Sequence, residues 1–303
     1  MKHKPTHLVS ILQALLVTFL WSTSFIIIKW GLVEIPPITF AGLRYFLAFL
    51  CFLPFMFLKR KYFEEVKNLN STQWKKLILL GFVFYTFTQG AQFLGLSLLP
   101  SVTVSLMLNF TPIIVAIMGI FLLNEKPTLL QWIGAILFLL GILTYFVPIS
   151  LLENEILGLV IMFIGVLANS GSAIIGRDVN RNKDISPFVV TFISMGVGAV
   201  ILLIIGLSLN EFPSISTTNW LFLIWLAAIN TAFAFTIWNL TLRSLTAMES
   251  SIINGTMLIQ IAVLAWFFLD EKINFQEGIG MLIAALGAVL VQIKRKMNKN
   301  RNH

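Results

Sequence analysis

Charge is what this 303-residue sequence has least of: 11% of its residues are Asp, Glu, Lys or Arg, against 58% that are hydrophobic. A soluble domain is about a quarter charged, so a surface this poor in charge does not face water. Cysteine occurs once, as Cys51 in an apolar run, which excludes an intrachain disulfide and a cysteine-held metal cluster. It reads as a small buried or lipid-facing residue rather than a working thiol. The three histidines, His3, His7 and His303, all lie at the chain ends, so no histidine relay runs through the interior. The sequence has no phosphate-cradling Gly-rich loop ending in Gly-Lys-Ser/Thr, no His-Glu-x-x-His and no Gly-x-Ser-x-Gly. ATP drive, zinc hydrolysis and serine-nucleophile chemistry therefore lack their usual residues. No catalytic residue, cofactor or metal is expected.

What is present is apolar length. Ten segments are each long enough to cross a hydrocarbon core of about 30 Å: residues 8–29, 37–58, 76–98, 102–123, 128–148, 155–176, 187–209, 219–242, 247–269 and 275–293. In lipid the backbone must satisfy its own hydrogen bonds, so these are helices, and their continuity excludes a barrel of short alternating strands. The first segment is long enough to span and has no small-residue cleavage site after it, which makes it a retained helix. The expected fold class is an all-α integral membrane protein of ten transmembrane helices.

The net charge of +8 is explained by topology. With the N-terminus inside, all of the 21 lysines and arginines except Lys29, Lys272 and Arg44 fall on the inner side, leaving 18 there. Positive residues favour cytoplasmic loops, so both termini are expected in the cytoplasm. The outer side instead collects Glu34, Glu153, Glu155, Glu211, Asp270, Glu271 and Glu277. The basic excess points to anionic lipid at the inner surface and not to nucleic acid.

A self-shift of 146 residues, without a gap, brings Ser105 onto Ser251, Ile113 onto Ile259, Glu125-Lys126 onto Glu271-Lys272, Gly134 onto Gly280 and Gly141 onto Gly287. Two units follow, 8–148 and 155–293, each of five helices. Five is odd, so the second unit enters the membrane in the opposite sense. Such inverted repeats build secondary transporters, because two similar halves can exchange which side is open.

These residues resemble the drug/metabolite transporter superfamily, in the branch with two EamA domains. The resemblance covers about 8–293. It rests on Trp21-Ser-Thr-Ser-Phe25, on Pro37 with Arg44-Tyr45, and on the block from Phe93-Leu-Gly-Leu96 through Thr111-Pro112, Asn124-Glu-Lys-Pro-Thr128, Gln131-Trp132, Gly134 and Gly141. Asp270-Glu-Lys272 with Gly280 and Gly287 is the second copy. Ser22 replaces the family's glycine, Leu258 stands opposite Pro112, and the second unit has no arginine matching Arg44. The resemblance implies transport of small solutes such as amino acids, amines, nucleosides, cofactors or drugs, often outward, and a bacterial cytoplasmic membrane. An organellar membrane stays open.

Arg44 is the most informative candidate. It lies seven residues inside its span from Pro37, about 10 Å along the axis. Charge at depth is costly and faces a cavity or a partner; the structural alternatives are snorkelling to the outer interface or tying helices together. The fourth span offers Asn109, Thr111 and the helix-kinking Pro112, and the repeat-related ninth offers Asn254, Thr256 and Gln260. Gln89 and Gln92 come from the third span, Asn169, Ser170 and Ser172 from the sixth, and Asn230, Thr231, Trp238 and Asn239 from the eighth. Trp21 and Ser24 come from the first, and Trp21, Tyr85 and Trp238 are candidate aromatic walls. Each polar residue has an alternative role as interhelical glue, and each aromatic as packing. As a set they fit one polar cavity. Glu249, at the inner start of the ninth span, is either a coupling acid or an interfacial partner of Arg243. Glycines seven apart, Gly134/Gly141, Gly158/Gly165 and Gly280/Gly287, are close-packing stripes.

The expected function is secondary transport, with export of amino acids or related metabolites by alternating access about a central cavity. A passive channel or a non-transporting membrane sensor is the alternative; a membrane enzyme would need an acid–base or metal cluster in the spans. The partners are a small solute and the bilayer. The oligomeric state is left open, a monomer included.

Overall fold

A computed structural model of the chain describes residues 7–111, 113–115, 117–118, 128–147, 152–181, 185–241, 245 and 253–292, without the side chains of residues 177, 180, 181, 239, 291 and 292. Pro112, Glu249, Arg243 and both charged tails lie outside the described residues, as does the side chain of Asn239.

The regular elements among the described residues are all helices. They are α1 (His7–Gly31), α2 (Pro37–Leu58), α3 (Arg60–Lys67), α4 (Ser71–Leu98), α5 (Ser101–Leu108), α6 (Leu129–Phe146), α7 (Glu153–Arg181), α8 (Pro187–Leu209), α9 (the consecutive segments Thr217–Ala227, Ala228–Phe233 and Ala234–Thr241), α10 (Met257–Leu269) and α11 (Phe275–Gln292). Seven of them, α1, α2, α4, α6, α7, α8 and α9, are long and apolar enough to cross a membrane. Three shorter apolar stretches, Ser101–Val115, Ile253–Leu269 and Phe275–Leu290, lie where the fourth, ninth and tenth spans were expected.

The helix starts follow local chemistry. Pro37 opens α2 and Pro187 opens α8, where a missing N–H costs nothing. Thr128 and Gln131 form a reciprocal capping box on α6, and Asn70 with Gln73 does the same for α4. The Asn70 box starts α4 at Ser71, five residues before the expected boundary. The stretch from Arg60 to Lys67, read from sequence as a loop, is helical because its apolar side has somewhere to go. Tyr62 stacks on Phe188 at 4.3 Å, while Arg60 and Glu64 pair at 2.9 Å on the open side.

Two kinds of interruption recur. Gly81–Thr88 in α4 and Ala228–Phe233 in α9 are wound as π-helix; adding 146 to the first range gives 227–234. The helix that begins as α5 ends at Leu108, turns at Asn109 and Phe110, and resumes at Thr111. A helical turn at Ile253–Gly255 likewise breaks at Thr256 before α10, and 110 plus 146 is 256. At both breaks the amides fall back to i→i−3 bonds, Phe110 N–H to the Met107 carbonyl at 3.0 Å and Thr256 N–H to the Ile253 carbonyl at 3.1 Å.

Glycines let backbones touch. A Cβ on Gly141 would lie 2.7 Å from the Gly280 carbonyl oxygen, and one on Gly287 would lie 2.6 Å from the Gly134 carbonyl oxygen. The helices α6 and α11 are therefore in antiparallel contact through the glycines that the 146-residue shift superposes. Helices α2 and α8 approach as closely, with Gly42 against the Leu203 backbone and Gly206 against Thr39. Gly165 sits on Ala91, which joins α7 to α4. One apolar core runs from Phe25, Phe40 and Phe93 to Met195 and Leu202; a second joins Leu106 and Ile113 to Leu258, Ala262 and Ala284. Leucine, isoleucine and phenylalanine side chains remain exposed along α6, α7 and α10, as expected where acyl chains are the solvent.

Contacts between loops join segments that charge assigns to the same side. Glu34 accepts the Ser216 N–H at 3.1 Å, Glu271 accepts those of Ser101 and Val102 at 2.8 and 3.3 Å, and Gln276 reaches the Val147 carbonyl, all on the expected outer side. Lys76 pairs with Asp178 at 2.5 Å, and Glu65 accepts the Ser186 N–H, both on the expected inner side.

Candidate solute-binding site

The candidate site is assembled on α1, which touches α9, α10, α4, α5 and, through Arg44, α2. Thr18 and, one turn on, the consecutive residues Trp21, Ser22, Thr23 and Ser24 of α1 supply its side of the contacts. Asn230, in the π-wound part of α9, is the hub. Its Nδ2 donates to the Leu20 carbonyl at 2.5 Å, to Ser24 Oγ at 2.9 Å and to Thr23 Oγ1 at 3.1 Å. Its main-chain carbonyl accepts the Trp21 indole N–H at 3.1 Å. An extra residue in the turn re-aims side chains, so the π segment is what points Asn230 and Thr231 inward together.

Arg44 enters this cluster from α2. It is 4% exposed, so it does not snorkel to the interface. Nε donates to Thr231 Oγ1 at 3.1 Å and Nη2 to Ser24 Oγ at 3.4 Å, with the guanidinium carbon 5.3 Å from the centre of the Tyr45 ring. Bonds from a charged donor contribute about 1.5–3 kcal/mol each. Both partners are neutral hydroxyls, so the opposite charge that ordinarily accompanies a buried cation is not supplied by them. No carboxylate pairs with Arg44 among the described residues.

Aromatic rings pack around the cluster. Trp21 lies 5.2 Å from both Phe235 and Trp238, centre to centre. Tyr45 donates to Gln89 Oε1 at 2.6 Å and meets Tyr85 edge-on at 5.6 Å. A second polar knot joins α1 to the helix of α10: Ser22 donates to Gln260 Oε1 at 3.0 Å, and Gln260 Nε2 donates to Thr256 Oγ1 at 3.0 Å and Thr18 Oγ1 at 3.3 Å.

The candidates from sequence therefore fall into groups. Trp21, Ser24, Arg44 and Trp238 meet in one cluster, and Gln89 borders it through Tyr45. Asn169 donates to Thr111 Oγ1 at 3.0 Å, joining α7 to the fourth span, while the Asn109 side chain, among the described residues, bonds only back to the Ser105 carbonyl at 2.9 Å. Thr256 belongs to the Gln260 knot. Gln92 is half-buried and Asn254 exposed, and neither side chain makes a hydrogen bond among the described residues. Sequence reading passed over Thr23, Tyr45 and Phe235 as members of the site. Phe235 had a signal, since it lies three residues before Trp238 and shares its helix face.

The fold defines the class: a multi-pass helical membrane protein with a buried polar cluster among its helices. The chain belongs to the EamA-like transporter family, whose model matches residues 8–147 and again residues 156–293. It is thus a membrane transporter and not an enzyme. It is 25% identical over 280 residues to the uncharacterized transporter YoaV of Bacillus subtilis (strain 168), covering 89% of this chain and 92% of that protein. It is 24% identical over 299 residues to an uncharacterized transporter of Archaeoglobus fulgidus, covering 96% and 98%. A solved crystal structure, 15% identical, shares the fold with a TM-score of 0.69 over 93% of this chain and 97% of that one.

Proposed function

We propose that this transporter is a secondary exporter of amino acids or related small metabolites, working by alternating access about a central site between two inverted five-helix units, 8–148 and 155–293. The observation that carries the reading is the recurrence of the same defects in both halves. The π segments in α4 and α9 and the breaks at Phe110 and Thr256 each fall one repeat apart. Interrupted helices paired across repeats are where such transporters hold their solute. The exchanged glycine contact between α6 and α11 supports the inversion, since a two-fold axis in the membrane plane would swap Gly134/Gly287 with Gly280/Gly141. The segregation of loop contacts and of lysine and arginine supports ten crossings with both termini in the cytoplasm of a cell membrane.

The test is flux through purified protein in liposomes against a panel of amino acids, amines and nucleosides. Saturable uptake with counterflow of a preloaded amino acid is the expected result. Non-saturating conductance would indicate the channel alternative, and binding without flux the sensor. The site is tested separately with single cysteines at Trp21 and Trp238, which face each other in the cluster, in a Cys51→Ala background: both should react with small polar thiol reagents, and the transported solute should protect them.

A further inference from the structure

Four helices carry an N-cap from their own segment: Asn70 on α4, Thr128 on α6, Ser186 on α8 and Ser216 on α9. Helix α5 does not. Pro100 precedes it, and its side chain makes no cap bond. The cap comes instead from 170 positions away, where the two carboxylate oxygens of Glu271 accept the first amides of the helix, Ser101 at 2.8 Å and Val102 at 3.3 Å. Free amides at a helix start attract negative charge, so the contact is favourable while the two segments meet and is lost when they part. Lys29, at the outer end of α1, is drawn to the same carboxylate.

The end of α10 is shaped for this contact. Asp270 takes a left-handed backbone with φ 53°, alone among the described non-glycine residues in having a positive φ. The amides of Asp270 and Glu271 both return to the Ala265 carbonyl, the second at 3.3 Å. This reversal ends the helix and turns Glu271 back toward α5. A left-handed aspartate is strained beside a glycine, and strain of this kind persists where surrounding contacts hold it and gathers at switch positions.

The two elements that Glu271 joins are the outer segments of the spans that break in the membrane, at Asn109–Phe110 and at Thr256. Val102 and Leu106 of α5 share an apolar plug with Ala262 and Ala265 of α10, between the Gln260 knot and the expected outer surface. With 13 residues, α10 is an arm of about 20 Å pivoting at Thr256, and a tilt of about 10° carries its far end about 3.5 Å. That parts Glu271 from both amides while each helix keeps its internal bonds.

We propose that Glu271 is the latch of the outer gate: α5 and α10 stay closed over the central cluster while its carboxylate caps α5, and they swing apart at their breaks when it lets go. Glu271 is a positioning residue, which sets the closed state and touches no solute. This rests on the alternating-access reading above.

The test is thiol reactivity at Ala262→Cys in a Cys51→Ala background, in the full chain in lipid nanodiscs, with a charged maleimide that does not enter lipid. Ala262 is 5% exposed in the closed plug. Glu271→Ala should speed labelling about tenfold or more, since a bond to a charged group is worth at least that factor. Glu271→Gln, which keeps one acceptor oxygen, should fall between. Val189→Cys, buried in the core at the opposite, inner end, should label no faster in either variant. Hydrogen exchange without added cysteines is a second reading, and decides alone if Ala262→Cys does not fold: Glu271→Ala should raise exchange along α10 as well as in the first turn of α5, whereas a simple cap changes α5 only. Unchanged labelling at Ala262→Cys overturns the proposal, as does exchange confined to α5. Equal acceleration at Ala262→Cys and Val189→Cys marks general loosening and also overturns it. Saturable liposome flux with an unresponsive Ala262→Cys would refute the latch and leave the transporter reading standing; a responsive latch without saturable flux would support the closed contact and refute that reading instead.

Discussion

Replacing Gly141 by alanine tests whether the α6–α11 contact is structural. The added Cβ would sit 2.4 Å from the Ala284 amide nitrogen, 2.7 Å from the Gly280 carbonyl oxygen and 2.8 Å from the Ala284 Cα. These are backbone atoms, so no rotamer change relieves the overlap and the two helices must separate. Overpacking of this kind costs about 1–3 kcal/mol. Ala is a better helix former than Gly by about 0.8–1 kcal/mol, which offsets part of it. Gly278 provides the opposite case in the partner helix α11: a Cβ there meets nothing within 4 Å, so Gly278→Ala keeps only the favourable helix term. At about 2–4 °C per kcal/mol, Gly141→Ala should lower the Tm of the detergent-purified protein by up to roughly 9 °C, while Gly278→Ala should leave it unchanged or raise it. Gly280→Ala presses on the same contact from the other side, 2.6 Å from the Tyr145 amide nitrogen and 2.8 Å from the Gly141 carbonyl oxygen. Once the helices have parted, the second substitution costs less, so the double variant should fall short of the sum of the two. Scanning fluorimetry on the four variants and the unmodified protein is sufficient. If Gly141→Ala and Gly278→Ala melt together, the close approach of the two backbones is not holding the helices and the reasoning fails.

Three further expectations follow from particular contacts. Reporter fusions at His303 and within residues 151–155 should report opposite sides of the membrane, and agreement between them would refute the five-plus-five topology. Glu271 places its carboxylate on the first amides of α5, where a negative charge contributes about 0.3–1 kcal/mol; Glu271→Ala should therefore melt below Glu271→Gln, which keeps one acceptor oxygen, and identical melting of both with the unmodified protein would show the bonds to be unimportant. Bonds from Asn219 and Ser216 hold the Glu34 carboxyl below its ordinary value. The folded state thus favours the ionised form, and its contribution is complete at neutral pH and lost as pH falls through and below the ordinary carboxylate range. Glu34→Gln should shrink the drop in Tm between neutral and acidic pH, and an unchanged drop would count against these bonds.

Much of this protein was legible in its sequence because a bilayer imposes simple rules. Apolar length places the helices, and seven long and three shorter ones lie where the ten spans were expected. Glycines seven apart mark the face along which α6 and α11 touch. The Asn70 and Thr128 boxes mark helix starts by a four-residue pattern, although only the second agrees with the boundary drawn from hydropathy alone. The amphipathic Arg60–Lys67 helix was missed because hydropathy detects spans and not helices lying along a surface.

What the sequence determined by itself is a set of polar residues that lipid cannot satisfy. Amides, hydroxyls and one arginine inside apolar helices find their partners in protein or at the interface, which made Ser24, Arg44, Asn230 and Thr231 candidates for the interior. Which of them meet was decided only by the tertiary structure. Arg44 bonds Ser24 and Thr231, 20 and 187 positions away, while Asn109 closes on its own helix and Asn254 lies exposed. The physical reason is that a helical period records the direction of a side chain about its own axis, and the π turns at Gly81–Thr88 and Ala228–Phe233 reset that direction in mid-helix. A change of phase of this kind is made by packing against neighbouring helices, and composition leaves no trace of it.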